Sequence, residues 1–282
     1  MSDVALWCDV QLTEDRLGIC FLDLQDATDI SDSFPGQSST YSVNGVSTLG
    51  YFAIDYTFQD IYRVHLKQAV QSRSPTFDNR YPILTVDGVA KLADPKRPAS
   101  LWLNVQHDEF YRKHNFSMRS FILSLSSRVR YISSPEVGFL RSMKFNVNPK
   151  TTKLVFRFLN QNDTDPSSNH TYGSLSKNLM FIKVFASGIL VPKDYIWSVD
   201  ASGYLHSHTS LVLEAHKIGL EVFVLDFAND ELSSFNYSHD PLAEYLQFVD
   251  NGDFSVDGVL SDFPITASEA IGCFAQLGTN AT

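Results

Sequence analysis

Positive charge is scarce in this chain. Its 282 residues carry 22 Lys and Arg against 32 Asp and Glu, a net charge of −10. With no surplus of cations to neutralise phosphates, a nucleic-acid partner is not expected. The one basic cluster, from Arg141 and Lys144 to Lys150 and Lys153, is thin and reads as solvated surface. Long apolar runs are missing as well. The longest, Leu179 to Val191, covers about 13 residues and includes Lys183, whereas a membrane span needs roughly 20. Cysteine is limited to Cys8, Cys20 and Cys273, an odd number too small for a disulfide framework. Cys8 and Cys20 lie in apolar runs, which predicts buried free thiols. Met1 to Trp7 shows no charged leader, so no signal peptide is expected there. Also absent are a G-x-S-x-G elbow, a phosphate-binding glycine loop, an H-E-x-x-H pair and any internal repeat.

What is present supports a folded α/β protein. Hydrophobic residues make up 44% and charged residues 19%, enough for a sizeable core and incompatible with global disorder. Short apolar, β-branched or aromatic runs recur at Val4 to Val10, Leu17 to Leu22, Leu101 to Val105, Val129 to Ile132, Leu154 to Leu159, Leu179 to Phe185, Glu221 to Phe227 and Gly258 to Leu260. Most are continuous, as in strands buried on both faces. A helix is predicted within His208 to Gly219, with Leu211, Val212, Ala215 and Ile218 on one face, Thr209 or Ser210 as its cap and Gly219 as its stop. Strands alternating with helices predict a parallel sheet, and about eight strands in this length suit a (β/α)8 barrel. A doubly wound sheet is the alternative. The segment Asp23 to Asp60 breaks the rhythm, with Tyr41 to Val46 as a turn, and reads as an insertion. A second polar loop runs from Asn160 to Ser174.

A barrel site lies at the C-terminal strand ends. Asp9 and Asp23 follow two apolar runs, and Asp200, Asp226 and Asp262 occupy similar positions. Carboxylates on one rim would suit a hard divalent cation, although Asp is also an ordinary turn residue. His206 and His208 are a candidate metal pair without the accompanying spacing of a zinc site. For His216 a core or helix-end role is expected. Five N-x-[ST] sequons, at Asn115, Asn162, Asn169, Asn236 and Asn280, hint at a secreted ancestry.

Ala5-Leu-Trp-Cys-Asp-Val-Gln-Leu-Thr-Glu-Asp15 followed by Gly18-Ile-Cys-Phe-Leu-Asp23 resembles the second and third strands of glycerophosphodiester phosphodiesterase barrels. Val256 to Pro264 resembles their closing strand, and Ala215 to Val224 with Ala228-Asn-Asp230 their seventh unit. Tyr41 to Val46, Pro192 to Trp197, His208 to Leu213 and Asp250 to Ser255 are similar to the first of two tandem barrels in the plant glycerophosphodiester phosphodiesterase-like cell-surface proteins. The resemblance implies one barrel domain over residues 1–282, lacking the first strand and helix, with residues 24–60 inserted after the third strand. It also implies an extracellular, surface-bound setting. A glycerophosphodiester or a cell-wall glycan is the implied partner.

The departures from the family pattern bear on chemistry. Members hydrolyse a glycerophosphodiester to glycerol 3-phosphate and an alcohol, with a metal stabilising phosphoryl charge and two histidines moving protons. The first-strand His-Arg-Gly is not in this chain. The Glu-x-Asp pair reads Trp7-Cys8-Asp9, the His-Asp pair reads Leu22-Asp23, and Glu-x-Lys reads Asn104-Val105-Gln106. Asp9 is thus the one implied ligand for a Ca or Mg ion, and no catalytic residue is assigned. Two readings follow: an impaired domain kept for binding or structure, or a metal-dependent phosphodiesterase using substitute ligands.

Overall fold

The computed structural model describes residues 4–22, 24–26, 29–68, 70, 73–92, 100–125, 129–231 and 233–279. The chain divides into two compact units. The first takes in Ser2–Leu154 with Pro166–Asn169, and the second takes in Val155–Asp165 with His170–Thr282.

The first unit begins with strand β1 (Ala5–Leu12), whose residues from Cys8 onward are buried. A short turn returns the chain into β2 (Gly18–Cys20), which pairs antiparallel with β1, placing Val10 opposite Cys20 and Leu12 opposite Gly18. The run expected as a third parallel strand is therefore the return arm of a hairpin. The loop from Thr13 to Leu17 is too short for the crossover a parallel partner requires. The same hairpin overturns the expectation of free thiols. Cys8 and Cys20 form a disulfide, with Cα atoms 5.0 Å apart.

After β2 comes the segment expected as an insertion. It folds as a small antiparallel sheet of β3 (Gln25–Asp26), β4 (Ser39–Val43) and β5 (Val46–Phe52), in the order β3-β5-β4. Val43 faces Val46, so Asn44-Gly45 is a two-residue hairpin loop, with φ of +50° and +86°. Positive φ at both positions is the demand of a type I′ turn, which Asn-Gly meets at low cost. Ile30, Ala53, Tyr56, Ile61 and Val64 close a local core with Ile19 and Ile83. Two parallel strands then follow, β6 (Ser100–Asn104) beside β1 and β7 (Val129–Ser134) beside β6. β8 (Lys153–Arg157) begins at the end of this unit and continues into the next.

In the second unit β8 pairs in parallel with β9 (Gly188–Pro192), β9 with β10 (Glu221–Phe227), and β10 with β11 (Gly258–Ser261). Val155, Phe156, Ile189, Val191, Val222 and Val224 are essentially inaccessible. Burial of each such side chain stabilises by about 1.5–3 kcal/mol. Phe227 stacks on Tyr245 at 4.6 Å and meets Phe248 edge-on at 5.1 Å, which docks helix Pro241–Val249 against the sheet.

The α/β class and the parallel pairing of the remaining strands are as expected; besides β2, one further element is not. Leu179 to Phe185, expected as a strand, is helical over Leu179–Lys183. Asn178 caps this turn by accepting the N–H of Phe181. The strand lies later, at Gly188–Pro192. A short apolar run carries no periodicity that separates the two states. Helix Leu211–Lys217 forms where expected and ends at Gly219 with φ +75°. Ser210 occupies its N-cap position, yet its hydroxyl donates to Glu214 instead of capping. Among the described residues no helix is long and apolar enough to cross a membrane.

Candidate functional site

Strand alternation puts Trp7 and Asp9 on one face of β1. Register sets Trp7 beside Trp102 and Asp9 beside Asn104 on β6, then Tyr131 and Ser133 beside those on β7. Two rows result. The first is aromatic, with Trp102 and Tyr131 stacked at 4.4 Å and Trp7 tilted against Trp102 at 5.6 Å. The second is polar and buried, at Asp9, Asn104 and Ser133.

The polar row is internally bonded. Trp7 Nε1 donates to Asp9 Oδ2 at 2.6 Å, and Asn104 Nδ2 donates to Asp9 Oδ1 at 2.6 Å. Ser133 Oγ donates to Asn104 Oδ1 at 2.8 Å, and Trp102 Nε1 donates to Ser133 Oγ at 2.9 Å. Asp9 lies within β1 instead of at its end, and two N–H donors compensate its burial.

Near this row, helix Asp108–Lys113 starts without a side-chain cap. Burial pushes the Asp108 carboxyl up to about 6, Arg112 opposes the rise, and Glu109 adds to it. Buried Glu136 accepts the backbone N–H of Glu109 at 2.9 Å. An acid whose folded-state pKa is raised costs stability once it ionises. Asp108→Asn is thus expected to leave stability unchanged near pH 3 and to raise it by up to about 1–2 kcal/mol at pH 7, after allowance for partial exposure. The gain develops between about pH 4 and 6 in urea titrations at stepped pH. An equal gain at both ends would show that ionisation is not its source.

The second unit carries a different constellation. Lys193 directly follows β9, and its Nζ donates to Glu244 Oε1 at 2.7 Å. Ser233 Oγ donates to the same oxygen. Both charged side chains are shielded, 16% exposed at Lys193 and 6% at Glu244. Lys193 also lies 5.2 Å from the Phe227 ring. Asp226, in β10, has φ +78°, a strained value for a residue with a side chain. Although the side chain reaches solvent, desolvation by the protein packed around it raises its carboxyl, and Lys193 and Arg157 pull it back. A cavity of about 380 Å³ opens here, lined among others by Lys193, Asp194, Trp197, Asp226, Tyr237 and Glu244.

The other candidates scatter. Asp23 lies outside the described residues. Asp200 accepts the backbone N–H groups of Ser202 and Tyr204, so it shapes a turn. Asp262 follows β11 and is exposed. His206 is exposed, while His208 Nε2 lies 3.2 Å from Asp253 and its ring meets Trp197 edge-on at 5.0 Å. Among the described residues neither imidazole belongs to a group of three or more side chains arranged to hold a metal ion. His216 is at a helix end, 2.9 Å from Asp257. Sequence reasoning missed Lys193, Ser233 and Glu244. The available signal was the lysine placed immediately after an all-apolar strand.

The parallel α/β pairing and the strand motifs both point to the glycerophosphodiester phosphodiesterases as the class this chain resembles. No protein-family profile matches the chain. Over its whole length it is 53% identical to glycerophosphodiester phosphodiesterase GDPDL3 of Arabidopsis thaliana, spanning 37% of that protein. It is 51% identical to the Arabidopsis protein SUPPRESSOR OF NPR1-1 CONSTITUTIVE 4, spanning 26% of it. The fold matches a glycerophosphoryl diester phosphodiesterase from Parabacteroides distasonis with a TM-score of 0.54 at 16% identity, covering 96% of this chain and 76% of that one. An Oleispira antarctica phosphodiesterase in complex with sn-glycerol-3-phosphate matches with a TM-score of 0.54 at 14% identity, covering 95% and 85%. Over its whole length the chain is similar to these plant glycerophosphodiester phosphodiesterases, and it spans about a third of the length of the plant relatives it matches.

The family's chemistry is metal-dependent, so the donor set can be tested against a cation. A hard divalent ion wants six or more oxygen ligands. At Asp9 both carboxylate oxygens already accept N–H bonds, from an indole and from an amide whose own oxygen is engaged by Ser133. Trp7 presents a donor where a ligand would have to stand. These residues do not fit a divalent metal. Among the described residues no group of three or more His, Cys, Asp or Glu side chains is arranged to hold one.

Proposed function

We propose that this domain has lost the hydrolysis of its family and serves outside the cell as a binding domain at the cell surface or wall. The observation that carries the reading is the double N–H engagement of Asp9 by Trp7 and Asn104. A carboxylate so occupied is a hydrogen-bond terminus instead of a metal ligand, and no histidine stands on the polar row to move a proton. Two features support the extracellular setting. The Cys8–Cys20 bridge suits an oxidising compartment. The sequon residues Asn115, Asn162, Asn169 and Asn236 are all exposed, as glycan attachment needs; Asn280 lies outside the described residues. We read residues 1–282 as a single barrel domain with residues 24–60 inserted.

The test is glycerophosphocholine hydrolysis with added Ca²⁺ or Mg²⁺, paired with calorimetric titration of each ion. Release of glycerol 3-phosphate is expected to stay at the level of Asp9→Ala, and wild type and Asp9→Asn are expected to bind neither ion at micromolar affinity. Metal-dependent turnover that Asp9→Ala abolishes would reinstate the alternative, an active phosphodiesterase with substitute ligands.

A further inference from the structure

The small sheet of the first unit ends in an open edge. Its order is β3-β5-β4, so β4 has a strand beside it on one side only. The two-residue loop fixes which backbone groups face outward. Val43 and Val46 close the hairpin as a hydrogen-bonded pair, and pairs alternate from there, so Tyr41 bonds Thr48 and Ser39 bonds Gly50. Thr40 and Ser42 lie between, and their N–H and C=O groups point away from β5. Among the described residues no hydrogen bond reaches those groups. Their side chains are exposed as well.

Sheet edges are ordinarily guarded by charge, by proline or by a bulge. This one has none of the three. From Ser33 to Ile54 there is no Asp, Glu, Lys, Arg or His, in a chain of net charge −10. Pro35 stands before the strand and not in it, and β4 pairs with β5 without a register shift. Leu49, opposite Thr40 on the same outer face, is 68% exposed. The other face holds the strand in place. Tyr41 meets the rings of Phe52 and Phe110 edge-on at 4.9 and 5.7 Å, and its hydroxyl donates to Asp55 at 2.5 Å.

Three features select a second copy of this chain as the occupant. The first is geometric. The outward groups flank Tyr41 symmetrically, so a two-fold axis at Tyr41 sets Thr40 of each copy opposite Ser42 of the other, and every outward N–H finds a carbonyl. The second is charge. Two molecules of net charge −10 repel each other over most approaches, whereas an uncharged edge lets them close without setting like charges together. The third is closure. Pairing uses up the open edge of both copies, and the far edge, β3, is only two residues long and contains Asp26, too short to seed a further strand.

We propose that this chain self-associates by antiparallel pairing of β4 with β4 of a second copy, giving one continuous sheet in the order β3-β5-β4-β4-β5-β3. The inference is independent of whether the domain hydrolyses a substrate. A five-residue edge makes a small interface, so the dimer is weak, with Kd of about 10–500 µM.

The experiment is sedimentation equilibrium of the full chain up to about 1 mM, above that Kd range. The mass is expected to rise from monomer toward dimer and no further. Ser42→Pro deletes an outward N–H and breaks no bond of the hairpin, as an edge strand allows. It is expected to weaken the dimer about tenfold, because the two-fold axis repeats the loss. Thr40→Lys with Ser42→Lys sets like charges opposite each other and is expected to be monomeric, as is Thr40→Asp with Ser42→Asp. An equimolar mixture of these two double variants is expected to restore a dimer containing one chain of each. Thermal unfolding at low concentration checks that each variant keeps the fold, and Ser42→Pro decides by itself where a charged pair disturbs the hairpin. A wild type that stays monomeric to about 1 mM, a mass that grows beyond the dimer, a dimer unchanged by Ser42→Pro, or folded double variants that fail to restore it on mixing would overturn the proposal.

Discussion

Glu244→Ala is expected to destabilise the domain by about 3–5 kcal/mol, read as a fall in the midpoint of urea unfolding. The loss does not measure the strength of the Lys193–Glu244 attraction. It reflects what the substitution leaves behind: an ammonium 16% exposed, set over the Phe227 ring, and a Ser233 hydroxyl with its acceptor gone. Removing one partner of a buried pair strands the other charge, whereas removing both does not. The double variant Lys193→Met with Glu244→Leu is therefore expected to recover most of the loss. A cost below about 1 kcal/mol for Glu244→Ala would mean that water reaches the pair and that the interaction is a surface one.

Replacing both Cys8 and Cys20 by serine is expected to cost about 2–3 kcal/mol, with thermal unfolding as the readout. The bridge closes a loop with a sequence separation of 12, and its main effect is to restrict the unfolded chain. Reductant should lower the unfolding temperature of the wild type to that of the variant and leave the variant unaltered. Coincident melting of reduced and oxidised wild type would deny the bridge a stabilising role. Cys8 precedes Asp9, so the same variants are expected to loosen the β1–β2 hairpin beside the polar row.

The legibility of this chain followed its local chemistry. Tyr41 to Val46 was legible as a turn, and Asn44-Gly45 makes it a hairpin loop because that turn needs positive φ twice in succession, which few residue pairs accept. Gly219 ended its helix for a related reason. Parallel strands at Leu101, Leu154 and Glu221 were readable as continuous apolar runs. Where the pattern was degenerate, reading failed. Leu179 to Phe185 suits a buried helix as well as a buried strand, and no turn residue within it breaks the tie. The Cys8–Cys20 bridge was missed because two isolated thiols in apolar runs say nothing about distance; the five-residue turn between β1 and β2 supplies it. Asp9 was visible as a carboxylate after an apolar run and again through motif resemblance, whereas its partner Asn104, 95 residues on, became its neighbour through strand register. The Lys193–Glu244 pair depends on helix Pro241–Val249 docking over β9 and β10, a tertiary fact with no local signature.

The bonds of the polar row all run one way, from Trp102 through Ser133 and Asn104 to Asp9, with Trp7 entering from the other side. That directionality acts as an evolutionary ratchet. Returning a glutamate at Trp7 would set two carboxylates against each other with the Asn104 amide still turned the wrong way for a cation. Turning that amide would present its nitrogen to Ser133, whose hydroxyl would then lose the oxygen that now accepts its proton. Each single change toward the Glu-x-Asp arrangement is therefore unfavourable alone, and several would have to arrive together. A lineage that had crossed this point would be free to elaborate new surfaces without drifting back to the old reaction.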